Sequence, residues 1–259
     1  MDLRNKRIII TGATSGIGQQ LMYMLSKYEG TKIIAVGRRM RNIPIAMNII
    51  PFKADISLKK NIDELFDFAI EKLGGIDIFI SNAGYSYFHT HQHAQWKDFD
   101  NIFKTNVLAS IYITKKMLDL HLNTAKEFMV AITVSCIAKV HLPTNPVYIA
   151  SKSALDGFIR TVKYEFPPQG KIVGIYPARV KHTNFFEDMI SGQKVEMPGT
   201  VQTPKQVAKA IIRGFEKNKK TIYTAPFSRI TIYLFNVFPF ILKWYSNRIN
   251  KKNIAVSNN

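Results

Sequence analysis

The stretch RIIITGATSGIGQQL, Arg7 to Leu21, decides the fold. Ile8 to Ile10 form a continuous β-branched run, the pattern of a strand buried on both faces. Gly12, Gly16 and Gly18 follow in the spacing G-x-x-x-G-x-G, and helical spacing begins at Gln19. A turn of this kind between a first strand and a first helix suits a phosphate site. Glycine permits tight turning and close backbone approach, and the helix N-terminus offers free N–H groups and a positive dipole end. The competing reading is an ordinary strand-helix turn.

Working outward, the same alternation recurs. KIIAVG, NIIPFKAD, IDIFISNAG, FMVAITVS, KIVGIYP and the short TIYTA read as strands. Between them, LKKNIDELFDFAIEKLGG is amphipathic, with Ile62, Leu65, Phe66, Ala69, Ile70 and Leu73 on one face. FDNIFKTNVLASIYITKKMLDL reads as one long helix, and YIASKSALDGFIRTVKYEF and TPKQVAKAIIRGFEKNK as two more. Strands alternating with helices of this length imply a parallel sheet covered on both faces. The fold class is α/β with a doubly wound parallel sheet. Residues 1–226 form a single domain, and 227–259 a C-terminal extension of different composition.

Composition narrows the function. The 259 residues suit one α/β domain. The single cysteine, Cys136, can form no intramolecular disulfide, so a reducing, cytoplasmic compartment is expected. The apolar run Ile8 to Ile10 is too short for a signal peptide, and no run approaches the ~18–20 residues of a membrane span. A net charge of +18 draws anions, or else reflects drift toward lysine on solvated surfaces. With no RNA-binding or zinc-finger signature, nucleic acid is not the expected partner.

Tyr148 and Lys152 in VYIASK stand four apart, on one face of a helix. A free phenol, with pKa ~10, is poorly matched to neutral pH, and a nearby ammonium favours its ionised form. Such a pair arises often by chance. Ser135, ending the fifth strand thirteen positions before Tyr148, adds a hydroxyl to the same region.

TGATSGIG, the NAG of Asn82 to Gly84, Asn106, Ser135 and YIASK, in this order, resemble the short-chain dehydrogenase/reductase family, over about Lys6 to Pro226. The resemblance implies a Rossmann-type sheet, a nicotinamide cofactor, and hydride transfer between a carbonyl and an alcohol. It makes Tyr148 the general acid/base, Lys152 the group that lowers its pKa and holds the ribose, and Ser135 the group that orients the carbonyl. Asn106 would support Lys152 through a water; its bland reading is a buried polar residue fixing a helix bend. Gly12, Thr14, Ser15, Gly16, Ile17 and Gly18 would cradle the phosphates. Asp55 would bond the adenine, with Ile56 flanking it, and Asn82, Ala83 and Gly84 would pass the ribose. Pro177 and Val180 would border the nicotinamide.

At the end of the second strand stands AVGRRMRN. An acid there would bond ribose hydroxyls, but this chain has Arg38 and Arg39, whose guanidinium groups match a 2′-phosphate. NADP(H) is expected over NAD(H), unless both arginines merely sit on a basic surface. The chain departs from the family pattern at Ser81, often asparagine, at Cys136, often a second serine, and at Ala178, usually glycine. Thr183 stands one residue late for its family role. His89, His91 and His93 look like a metal site but lack a fourth ligand at helix spacing, so no metal is expected.

The substrate lid is placed at about 178–200, where Phe185, Phe186, Met189, Val195 and Met197 point to a lipophilic substrate or to core packing. In the tail, aromatic residues (Tyr233, Phe235, Phe238, Phe240, Trp244, Tyr245) mix with Arg229, Lys243, Arg248, Lys251 and Lys252. This suits a peripheral segment on an anionic membrane, or a segment packed over the substrate cleft or a dimer partner. The expected function is an NADP(H)-dependent oxidoreductase on a small lipophilic carbonyl/alcohol, with a homodimer as the candidate assembly. The competing reading is a dinucleotide-sensing scaffold on the same fold.

Overall fold

The structure is a computed structural model that describes residues 1–44, 46–86, 95–140, 145–181 and 201–247. Seven parallel strands form the sheet in the order β3-β2-β1-β4-β5-β6-β9. They are β1 (Arg7–Thr11), β2 (Lys32–Gly37), β3 (Ile49–Lys53), β4 (Ile78–Ser81), β5 (Phe128–Thr133), β6 (Gly170–Tyr176) and β9 (Thr221–Tyr223). Between β6 and β9, β7 (Arg179–Val180) and β8 (Val201–Gln202) pair in parallel as a separate ribbon. In the main sheet, Ile9 of β1 faces Ile34 on one side and Phe79 on the other. The order reverses between β1 and β4, which opens a crevice at their carboxyl ends.

The pleat sends alternate residues to two cores. Ile9, Ile34, Phe79, Val130 and Ile132 face α2 (Lys59–Leu73), α4 (Ala109–Leu120) and α5 (Pro146–Val162). Ile8, Ile10, Ile33, Ile80 and Ala131 face α1 (Gly16–Leu25) and α6 (Pro204–Glu216). A strand with two apolar neighbours on every side has no polar face to show, which is why its sequence reads as a continuous run. Each such isoleucine, fully buried, stabilises the fold by about 1.5–3 kcal/mol.

Three local readings need amendment. On α2, Ile70 is 44% exposed at the edge of the apolar stripe rather than within it. The helix read from Phe99 begins at Trp96: α3 (Trp96–Phe103) runs into a π-helical turn, Lys104–Leu108, before α4. The polar Asn106 sits in that turn, so the helix bend read from its sequence is a change of winding. The tail is helical over α7 (Ser228–Val237) and again over 239–247, with Pro239 opening the second segment. Among the described residues, no helix is long and apolar enough to cross a membrane.

Candidate active site

The crevice is part of a cleft of about 880 Å³ that runs from the β1–α1 turn to the C-terminal helices. At one end the chain turns with positive φ at Gly12 and Gly16 (66° and 55°). A Cβ on Gly12 would meet Ala83 Cα at 2.9 Å, and one on Gly18 would meet the Gly12 carbonyl oxygen at 2.2 Å. Both glycines are thus required by close backbone approach, and Gly12 by its conformation as well. Thr11 ties this turn to the loop after β4, its hydroxyl accepting from Asn82 N and Ala83 N, both at 3.0 Å. Asn82 Nδ2 donates to Thr11 O at 3.1 Å. The first turn of α1 carries no acid, so its dipole and free N–H groups face the cleft unopposed by a side-chain carboxylate.

Thr14, Ser15, Gly16 and Ile17 line this end, and Arg38 and Arg39 edge it together with Arg41. Arg41 escaped the sequence reading, which stopped at the two arginines next to the strand. Asn42 holds this rim in place by donating to Thr14 O at 3.3 Å. Asp55 and Ile56 also line the cleft. One Asp55 oxygen accepts from Ser57 N at 2.9 Å, which fixes the loop into α2.

At the middle of the cleft, Ser135, Tyr148 and Lys152 come together, with Asn82, Ala83, Gly84, Pro177 and Val180 around them. Ser135 stands where its hydroxyl favours the ionised Tyr148 phenol, and its Oγ accepts from Ile137 N at 3.3 Å, so the short 3₁₀ turn Cys136–Lys139 sets its direction. Cys136 points elsewhere: its Sγ donates to Tyr176 O at 3.3 Å, and burial pushes the thiol up to about 11, against a smaller opposing effect from Ser228. Lys152 is 3% exposed, and its Nζ donates to Thr133 O at 2.9 Å. Burial alone lowers its pKa from 10.5 to about 7.

Burial raises the Tyr148 phenol well above its ordinary value, and Ser135 only partly offsets this. In this arrangement burial outweighs the depression of the phenol that the resemblance assigns to Lys152. The Lys152 ammonium lies 5.8 Å from the ring centroid, and burial disfavours its charged form.

Of the catalytic and cofactor-binding residues singled out in the sequence, Gly18 and Asn106 stand outside the cleft lining, and the others line it. Asn106, 1% exposed, accepts from Tyr85 N at 3.1 Å and donates to Tyr85 O at 3.0 Å and Ser151 Oγ at 3.1 Å. A Cβ on Gly84 would stand 3.0 Å from Asn106 Oδ1 and 3.4 Å from Lys152 Nζ, so this glycine leaves room for both the amide and the ammonium beside the loop. Ser81, where the family often has asparagine, pairs with Ser110 at 2.9 Å. Ser86 and Asn145 also went unread. Asn145 donates to Ser86 across the cleft wall and, with φ 59°, starts α5 three residues before Tyr148.

The far end is apolar: Ile137 and Val140 on one side, Ile232, Phe235 and Tyr245 of the tail on the other. Asn236 Nδ2 donates to Lys139 O at 3.3 Å and anchors α7 to the turn that carries Ser135. His89, His91, His93, Thr183, the apolar residues of 184–200, and Arg248, Lys251 and Lys252 lie outside the described residues. Among the described residues, no group of three metal-ligating side chains occurs.

A family model described as short chain dehydrogenase matches residues 6–194. The chain is 30% identical over 262 residues to the 11-beta-hydroxysteroid dehydrogenase-like 3 protein of Arabidopsis thaliana, covering 95% of this chain and 82% of that one. Among solved structures, it resembles a short chain dehydrogenase/reductase from Burkholderia phymatum in complex with NAD, at TM-score 0.81 and 17% identity, covering 93% of this chain and 96% of that one. It also resembles one from Burkholderia cenocepacia in complex with NADP, at TM-score 0.79 and 16% identity, covering 93% and 97%.

Proposed function

Since the chain belongs to the short chain dehydrogenase family and is an NAD(P)-dependent oxidoreductase acting on the CH–OH/C=O pair, we propose that it is an NADP(H)-dependent carbonyl reductase for a lipophilic substrate. The observation that carries this reading is the gathering of Ser135, Tyr148 and Lys152 at the middle of one cleft, between an arginine-edged end and an apolar end.

The residues present fit a dinucleotide. Gly12 and Gly18 leave backbone space that any Cβ would fill, and the α1 N-terminus offers donors. Arg38 and Arg39, with Arg41 added, supply fork-shaped donors suited to a 2′-phosphate, which favours NADP(H) over NAD(H). Thr14, Ser15, Gly16 and Ile17 would hold the pyrophosphate, Asp55 and Ile56 the adenine, and Asn82 to Gly84 with Lys152 the ribose. Pro177 and Val180 would flank the nicotinamide, which supplies or accepts the hydride when bound.

In this reading Ser135 orients the carbonyl and Tyr148 Oη gives its proton to the developing alkoxide. A neutral phenol at neutral pH, as burial makes it, suits the acid role in reduction. Lys152 holds positive charge beside the phenolate that forms, and Asn106 fixes the Tyr85 loop and α5 against each other. The tail from Phe227 onward serves as the substrate-facing wall of the domain formed by residues 1–226, and its apolar residues favour a lipophilic substrate. Two copies pairing through α4 and α5 belong to this reading, and sedimentation measures it.

A spectrophotometric screen of carbonyls with NADPH tests the proposal. Turnover with a lipophilic ketone or aldehyde is expected, lost in Tyr148→Phe, with NADPH bound more tightly than NADH. No turnover with any carbonyl, or equal turnover in the variant, refutes the chemistry; tighter NADH binding refutes the cofactor preference.

A further inference from the structure

Helix α7 carries two apolar stripes on opposite sides. Thr231, Ile232 and Phe235 line the cleft, in the i, i+1, i+4 pattern of a single face. Ile230, Tyr233, Leu234 and Val237 repeat that spacing about 200° away around the helix, at ~100° per residue, and are 41–64% exposed. The second helical segment exposes Phe240 and Trp244, at 67% and 62%, while Tyr245 packs against Phe235 with ring centroids 5.5 Å apart. A surface helix ordinarily answers its buried stripe with a polar one. This helix does not: its outward stripe is apolar and exposed, while its inward stripe lines the cleft.

The charges at the patch select its occupant. Arg229 and Lys243 flank it, both exposed, and no Asp or Glu follows Glu216 anywhere in the chain. A second copy docked face to face would set these cations against their own kind with no acid in the tail to answer them. An anionic lipid surface supplies the opposite charge and accepts the aromatic and aliphatic side chains together. No described helix is long and apolar enough to cross, so the segment would lie in the interface.

We infer that α7 and the helical segment 239–247 dock this protein on anionic membranes through Ile230, Tyr233, Leu234, Val237, Phe240 and Trp244. The inner stripe of the same helix then places the cleft mouth at the lipid surface. Docking does not depend on the proposed carbonyl chemistry, and binding assays without substrate keep the two separable.

Trp96 and Trp244 are the two tryptophans of the chain, and Trp96 is exposed, so Trp96→Phe leaves Trp244 as a reporter in the full-length protein. With phosphatidylcholine vesicles containing phosphatidylglycerol, the Trp244 emission should shift to the blue and the protein should sediment with the lipid. The effect should weaken in pure phosphatidylcholine and at high salt. Tyr233→Glu with Val237→Glu should lower the partition coefficient about tenfold or more, since two apolar side chains no longer leave water. The helical circular dichroism should be preserved, showing that the fold is intact. Absence of vesicle binding overturns the inference, as does binding that the paired substitution leaves unchanged. A concentration-dependent dimer abolished by that substitution, without lipid binding, would assign the patch to a second copy instead.

Discussion

Lys152→Met should stabilise the fold while abolishing turnover. The ammonium is 3% exposed, and burial moves its pKa from 10.5 to about 7. At ~1.4 kcal/mol per pH unit, holding the charged form in place costs the folded state about 5 kcal/mol. Methionine is unbranched like lysine, one atom shorter, and needs no solvation. The variant loses the bond from Lys152 Nζ to Thr133 O, worth about 1–3 kcal/mol, so a net gain of about 2–4 kcal/mol is expected at pH 6.

The pH dependence isolates the cause. Between about 7 and 10.5 the unfolded chain binds the Lys152 proton and the folded chain does not, so wild-type stability rises with pH across this window relative to the variant. The destabilisation is fully present below pH 7 and vanishes as pH approaches 10.5. Urea unfolding of both proteins at pH 6, 8 and 9.5, without cofactor, reads the difference. Parallel stability profiles, or a variant less stable at every pH, would show that Lys152 is not held at the expense of stability and would refute the reasoning.

Gly18→Ala places a Cβ 2.2 Å from the Gly12 carbonyl oxygen, so the turn must shift; a loss of about 2–4 kcal/mol in stability and of measurable dinucleotide binding is expected by thermal melting and fluorescence titration. Asp156 on α5 accepts from the Tyr176 hydroxyl at 2.6 Å and pairs with Lys139 at 2.8 Å. Asp156→Asn leaves the partly buried Lys139 without its counter-ion and should cost about 3–5 kcal/mol by urea unfolding. Cys136, with its thiol pushed up to about 11 by burial, should react with iodoacetamide at pH 8 roughly a hundredfold more slowly than in the unfolded chain, by mass spectrometry. Equal rates would mean that the thiol is not turned into the wall as described.

The sequence by itself determined the layered sheet and the order of its strands along the chain, because burial on both faces leaves a continuous apolar run that needs no partner to be read. It also determined the glycine turn, where backbone conformation is a property of the residue, and the Tyr148–Lys152 face, where helical spacing is local. Tertiary structure decided what these groups do to one another. Thr11 joins loops 71 residues apart through Asn82, and no local pattern announces that bond. The depressed pKa of Lys152 comes from packing by β5 and the loop at Gly84, not from its spacing to Tyr148. Asn106 makes its contacts to Tyr85 and Ser151 from within a π turn that its sequence does not announce. The tail reads in sequence as one apolar, basic stretch. Its division into an inward stripe that walls the cleft and an outward stripe that stays in solvent exists only once α7 is laid against the turn that carries Ser135. Local periodicity fixes what each segment can be, while the charge states and the shape of the cleft depend on which distant segments exclude water from them.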